Sequence, residues 1–461
     1  MSESESPPAS LSQPAAPADR GGGREGRGLG FLDHVNLVFL TYIASAALGF
    51  GVQVLVARAL GPDGRGVYAL FLLSAAITHS VLGLGMNVSA VYYLGKRQAT
   101  VSRIVGNGEI VVLVSGVICA LLVLLAWLVL GDTFVDHGVP YWTFAFVVPL
   151  FVNYGLLVAV LQGTSRFLSM NAIILAQPIV QFGLLAAGMV LGEVDTTRAV
   201  LYWSGGTFAA TLLALALLGR PALRLPDLLR VDRTGLREQV RFGLRGQIGN
   251  VMQLLNYRLD QYIVLLFVNT SGVGVYAVAV GLTQSVWFFA NAVATVLLPR
   301  LTATDEADAA RTTPLVCRTT LLVSALSALA LAAISPAVLL LFGHAYRPSL
   351  TPLFWLLPGT VALAGSKILT SYVFSQGYPG TNSLITIAAL AVTIVADFAL
   401  IPPFGVAGAA AASTLAYGAH FALSLLAYRR VSGGSIRDAV VVRGEDLRRY
   451  LAVARERFAP A

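Results

Sequence analysis

The sequence is short of charge: 12% of its 461 residues are Asp, Glu, Lys or Arg, about half the share in soluble domains. Together with 56% hydrophobic residues and a mean hydropathy of +0.76, that shortage excludes an ordinary water-soluble enzyme. Cysteine is scarcer still. Cys119 and Cys317 both stand in apolar blocks, so neither a disulfide framework nor a cysteine metal site is expected. Lysine occurs only at Lys96 and Lys367, so the positive charge is almost wholly arginine. Signatures of catalysis are missing as well. No hydrolase elbow, Walker loop, zinc-binding helix or dinucleotide fingerprint stands in its required context, and the Gly-rich run 61–66 joins two apolar blocks rather than a strand and a helix. No enzyme, metal or cofactor is therefore expected.

What is present is a series of long apolar blocks, each near the ~20 residues that cross a hydrocarbon core. Twelve spans are expected, at 36–60, 67–95, 108–130, 140–162, 168–191, 199–219, 243–267, 274–298, 314–342, 351–376, 382–402 and 405–428. Residues 1–30, rich in Ser, Pro, Ala, Gly and Arg, read as a disordered tail and not as a secretory signal. Basic residues resist translocation, so Lys96, Arg97 and Arg103 place the second loop inside, and the loop with Asp132 and Asp136 falls outside. Both termini are then cytoplasmic, in the cytoplasmic membrane. The acidic group Asp305, Glu306 and Asp308 opposes this mildly, but acids weigh little in the rule. The net charge of +8 is concentrated in the expected inside segments: +3 in 96–103, +3 in 220–241 and +4 in 429–461. Its basic balance thus reports topology, and no nucleic-acid partner is expected.

The connector 220–242 divides two sets of six spans, giving lobes at 31–219 and 243–428 and a basic tail at 429–461. Sliding one half over the other by 208 residues lays Gly64–Leu70, GRGVYAL, on Gly272–Val278, GVGVYAV, with five identities in seven positions. A weaker echo pairs Leu161-Gln162-Gly163 with Ser375-Gln376-Gly377. Six spans return the chain to its starting side, so the repeats are parallel. In the tail, Leu447, Tyr450, Leu451, Ala454 and Phe458 share one helical face among arginines. That fits a helix on the anionic leaflet or a solvated one.

Polar residues inside spans are costly and mark cavities or helix contacts. Asn250, Gln253, Tyr257, Asp260 and Gln261 recur at helical spacing in span seven, and the 208-residue shift brings Tyr42, Ser45, Gly49 and Gln53 of span one onto the same stripe. Gln284, Trp287 and Asn291 share a face of span eight. Two readings stand for these stripes: a central cavity, or interhelical hydrogen bonds worth ~0.6–2 kcal/mol each. Arg258 and Asp260, two residues apart, point to different sides of the helix and need separate partners. Lys367 is either a phosphate-attracting cation or half of an ion pair, and Arg58 either lines the path or snorkels. Arg318 carries the same ambiguity. Asp260, Glu109 and Asp397 are the ion-coupling candidates, while His420 reads as a packed polar residue.

Three segments in order resemble one family. Val56–Leu70, VARALGPDGRGVYAL, is similar to the opening motif of polysaccharide biosynthesis flippases, the Wzx-like members of the multidrug/oligosaccharidyl-lipid/polysaccharide (MOP) exporter superfamily. Asn256–Ala279 resembles its second-half counterpart, and Ile401–Ser413, IPPFGVAGAAAAS, its step between the last two helices. The resemblance covers about 30–430 and implies an all-α polytopic membrane protein with two six-helix lobes around an alternating-access cavity. It further implies outward passage of a polyprenyl-diphosphate-linked oligosaccharide, with Arg58, Arg258 and Lys367 toward the diphosphate and an ion gradient to reset. The partners expected are the bilayer, the lipid-linked saccharide, and a polysaccharide polymerase and glycosyltransferases. Two rivals remain: a cation-coupled multidrug antiporter of the same superfamily, and a non-transporting scaffold for a polymerase complex.

Overall fold

The computed structural model describes residues 31–130, 142–219, 233–443 and 446. The expected tail 1–30, most of the connector and the amphipathic face from Leu447 to Phe458 lie outside these residues. Among the described residues nine helical stretches are long and apolar enough to cross a membrane. Two of them hold two spans apiece. Phe31–Leu82 folds back at Gly61, whose φ of 65° and ψ of −178° suit only glycine, and Pro62 starts the next helix where its missing N–H costs nothing. Pro379–Ser432 does the same at Gly405, φ 57°, just after Pro402 and Pro403. Its arms meet so closely that a Cβ on Gly408 would stand 2.0 Å from Leu400 O. Adding Arg233–Phe267, too polar to qualify by hydropathy, gives twelve spans.

Spans two, seven and eight differ from the hydropathy reading. Span two is not continuous over 67–95: it breaks at Gly83–Gly85, where Leu84 and Gly85 take φ of 49° and 69°, and resumes as Met86–Gly95. Span seven begins ten residues early, at Arg233, because Arg237, Glu238 and Arg241 hide a helical segment from a hydropathy window. Span eight is likewise interrupted, by a 3-10 turn at Gln284–Val286 between Thr270–Thr283 and Trp287–Ala303.

The loops carrying Gly61, Asn269, Gly343 and Gly405 define one face of the bundle, called here the Gly61 face; Lys96, Asp305 and Gly377 mark the opposite, Lys96 face. The two lobes touch near both. Near the Gly61 face the contact is backbone on backbone: a Cβ on Gly66 would lie 1.8 Å from Thr270 O, and one on Gly274 would lie 1.9 Å from Pro62 O. These glycines are 208 residues apart, the offset that superposes the halves, so the pseudo-twofold axis runs between them. Around them Thr270 Oγ1 donates to Asp63, Tyr346 OH donates to Ala57 O at 3.1 Å, and Phe50 meets Phe342 edge-on at 5.7 Å.

Toward the Lys96 face the interrupted second span packs on the start of span seven. Gly85 and Gly243 are in similar backbone contact, 2.3 to 2.4 Å from each other's would-be Cβ. Ser89 Oγ donates to Gln239 O at 2.5 Å, Asn107 Nδ2 to Gln239 Oε1 at 3.1 Å and Gln247 Nε2 to Ser80 O at 3.0 Å, while Tyr92 stacks on Phe242. The arginine-rich start of span seven thus presents glutamines and a glycine inward to the first lobe.

After span twelve a short helix, Ile436–Val440, folds under span nine. Arg318 grips Asp446 through Nε to Oδ2 at 2.6 Å and NH2 to Oδ1 at 2.7 Å, and donates to Asp438 O at 3.1 Å. These bonds hold the Asp446 carboxyl below the usual carboxylate range, with a bond from the Arg443 backbone N–H adding to the effect.

A central cavity between the lobes

A cavity of about 430 Å³ lies between the lobes, within the ~300–1,000 Å³ of small-molecule sites. Its first-lobe wall comes from spans one, two, five and six; spans seven and eight supply the other. The polar lining is Ser45, Gln53, Arg65, Tyr68, Gln177, Gln181, Trp203, Arg258, Gln261 and Gln284. Among the described residues that line it there is no carboxylate.

Arg65, Tyr68, Gln177, Gln181 and Trp203 are lining residues that are not among the sequence candidates, and Arg65 is the charged one. It is 4% exposed; NH2 donates to Gln53 Oε1, its guanidinium lies 5.5 Å from the Tyr68 ring centroid, and its Nε has no partner among the described residues. Arg258 lines the same cavity and is close enough to act on it electrostatically. Two guanidiniums therefore face one cavity, and neither has a countercharge among the described lining residues. Arg65 stands opposite Val273 in the repeat alignment, so a search for identities passes over it; the signal lay in the position where the repeats differ.

Of the sequence candidates, Gln53, Arg258, Gln261 and Gln284 line the cavity. The span-seven stripe divides between two sides of the helix. Leu254, Arg258 and Gln261 face the cavity, whereas Asn256 and Asp260 face the second lobe. Asn250 and Gln253 are exposed, with Asn250 Nδ2 bonded to Gln247 at 3.4 Å and Gln253 Nε2 to Tyr257 OH at 3.1 Å. Asn291 is exposed too, on the segment after the 3-10 turn. Arg58 is at the Gly61 face, where Nε donates to Leu341 O at 2.6 Å and so brackets the lobes. Lys367 is inside the second lobe, its Nζ 5.8 Å from the Tyr257 ring centroid and 5.3 Å from that of Trp287. His420 is packed, bonded through Nδ1 to Ser366 Oγ at 2.6 Å.

The ion-coupling candidates part company. Glu109 is in the first lobe, accepting from Asn153 Nδ2 at 2.8 Å. Asp260 and Asp397 share a buried region of the second lobe. Asp260 Oδ2 accepts from Tyr276 OH at 2.5 Å and Ser413 Oγ at 3.0 Å, and Oδ1 accepts the Gln261 N–H at 2.8 Å. One turn away on each helix, Thr393 Oγ1 donates to Asn256 Oδ1 at 2.8 Å, tying span eleven to span seven. Asp397 is fully buried within electrostatic range of Asp260, and neither of its oxygens has a partner among the described residues. Such a carboxylate needs a proton or a cation.

The family model described as polysaccharide biosynthesis protein matches residues 31–304, more than half of the chain. Among solved structures, the lipid II flippase MurJ in an inward closed conformation is similar at 13% identity over 92% of this chain and 94% of that one, with a TM-score of 0.67. An inward-facing multidrug resistance MATE family transporter of the MOP superfamily gives 13% identity, 87% and 98% coverage and a TM-score of 0.66. A MOP superfamily transporter from Pyrococcus furiosus gives 14%, 87% and 96%, and 0.60. A comparison with curated proteins returns no match. At these identities the structural likeness is one of fold: twelve helices in two lobes. The chain belongs to the polysaccharide biosynthesis protein family and is a multi-pass membrane protein built on the MOP exporter fold.

Proposed function

We propose that this transporter is a flippase that moves a polyprenyl-diphosphate-linked saccharide outward across the cytoplasmic membrane by alternating access. The observation that carries the reading is the pair Arg65 and Arg258 in one cavity with no carboxylate among its described lining residues. Such a cavity attracts a diphosphate and repels a cationic drug, which weighs against the multidrug rival. The Lys96 face is then cytoplasmic, as its loop cations favour, and the prenyl tail runs along the apolar outside of the bundle. Asp260 and Asp397 supply the reset: a proton or sodium ion entering between spans seven and eleven neutralises the buried pair and favours one arrangement of the second lobe.

The test is complementation of a strain lacking the gene. Loss of surface polysaccharide, with drug tolerance unchanged, is expected on deletion, and Arg65→Ala with Arg258→Ala should fail to restore it while still inserting in the membrane. Altered drug tolerance with normal polysaccharide would favour the antiporter. Full restoration by the double variant would favour a scaffold.

A further inference from the structure

The cavity's two walls are unequal. Spans five and six reach it with Gln177, Pro178, Gln181 and Trp203, whereas no residue of spans eleven or twelve is among those lining it. In the second lobe, Tyr257, Trp287 and Tyr417 pack ring to ring at 5.3 to 6.0 Å, with the Lys367 ammonium over two of them. Polar recognition beyond the two arginines therefore falls mainly to the first lobe.

Trp203 and Gln177 are set side by side by a main-chain contact. A Cβ on Gly206, three residues after Trp203, would lie 2.5 Å from Gln177 O and 3.3 Å from Gln181 N, so spans five and six touch backbone to backbone there. Phe151 meets Trp203 edge-on at 5.2 Å and 80°, bracing the indole. Among the described residues nothing accepts its N–H. Gln177 Nε2 donates to Gln181 Oε1 at 3.1 Å, and Gln181 Nε2 donates to Tyr68 OH at 2.9 Å. That relay leaves Gln177 Oε1 as a free acceptor and the Tyr68 hydroxyl with a proton to give.

An indole beside amide donors and acceptors, with no carboxylate, fits an uncharged pyranose, whose C–H face packs on the ring while its hydroxyls bond to the amides. The placement along the path agrees. Thr196 Oγ1 lies 3.0 Å from a Cβ on Gly64, level with Arg65, and Trp203 follows seven residues later, ~10 Å along the helix. We propose that Trp203 and Gln177 form a saccharide subsite that reads the sugar joined to the diphosphate, while Arg65 and Arg258 hold the diphosphate itself. The assignment rests on the flippase reading above.

Binding of the full chain in nanodiscs separates the two. The probes are farnesyl diphosphate and farnesyl diphosphate carrying one N-acetylglucosamine, glucose or galactose residue. A sugar-bearing probe should bind about tenfold tighter than the bare diphosphate. Trp203→Ala should remove that increment while shifting the bare diphosphate less than about twofold, Trp203→Phe should keep most of it, and Gln177→Ala should lose part. The subsite is overturned if no sugar adds affinity to the wild type, if the increment survives in Trp203→Ala, or if that variant weakens both kinds of probe alike. Failure of the flippase reading has its own signature: farnesyl diphosphate fails to bind, or binds as well to Arg65→Ala and Arg258→Ala, and both proposals then fall.

Discussion

Replacing Gly66 by alanine is the most direct way to pry the lobes apart at the Gly61 face. Its Cβ would stand 1.8 Å from Thr270 O and 2.7 Å from Thr270 C, and both obstacles are backbone, so no side-chain rotation relieves them. Reaching an ordinary contact at 3.4 Å requires a retreat of about 1.6 Å across the seam. Overpacking of that kind costs ~1–3 kcal/mol, and at 1.36 kcal/mol per decade the ratio of sealed to parted molecules falls ~5- to 160-fold. Asp63 and Thr270, bonded to each other across the seam, are the reporters. With both replaced by cysteine and the buried Cys119 and Cys317 removed, the rate of bridging by a short bifunctional thiol reagent should drop by up to that factor in the Gly66→Ala background. Gly183→Ala, which meets nothing within 4 Å, should leave it unchanged. Because Gly66 and Gly274 meet the same seam, the double alanine variant should cost little more than the worse single one. Unchanged bridging in Gly66→Ala, or full additivity in the double variant, would refute the claim that one shared contact seals this face.

Two further outcomes follow from the buried charges. Asp397→Asn replaces a carboxylate that has no partner among the described residues by a side chain that needs no proton or cation to be buried, so the protein should melt a few degrees higher while transport into proteoliposomes loses its response to an imposed sodium or proton gradient. A variant that melts lower and keeps the gradient response would count against the coupling role. At the tail, Arg318 lowers the Asp446 pKa, so the clamp is fully present above the free carboxylate value of ~3.9 and is lost as pH falls through the lower folded value. Proteolysis after Ser432 should therefore be the same from about pH 8 to about pH 5 and rise only below about pH 4, whereas Asp446→Asn should be cleaved readily throughout. Release already at about pH 5 would show that another contact carries the segment.

The fold was readable in the sequence because bilayer physics leaves few choices. Apolar blocks of the right length must be helices, and Gly64 and Gly66 with their counterparts Gly272 and Gly274, 208 residues on, announce a repeat. The interruption at Gly83–Gly85 was hidden, since hydropathy is indifferent to a backbone kink. The cavity was legible in part. Gln53, Arg258, Gln261 and Gln284 line it because polar side chains within a span must face something other than lipid. Sequence spacing did not say which polar neighbour they faced: Arg258 turns to the cavity and Asp260, two residues on, to the second lobe. Lys367 depended on tertiary packing altogether, since three aromatic rings from three spans converge beside it.

The glycine contact at the Gly61 face is self-complementary: the segment around Gly66 meets the one around Gly274, and each occupies the same place on its own lobe. An interface of that type holds two separate copies as readily as two halves, so a six-span protein could have formed it as a parallel twofold dimer. In such a dimer every substitution appears twice. Joining the copies in one chain lifts that constraint, and it allows Arg65 on one side of the axis where the other has Val273, and Asp260 where the first has Val52. An arginine on the cavity wall of one lobe and a pair of buried carboxylates in the other are arrangements that an exact dimer could not separate.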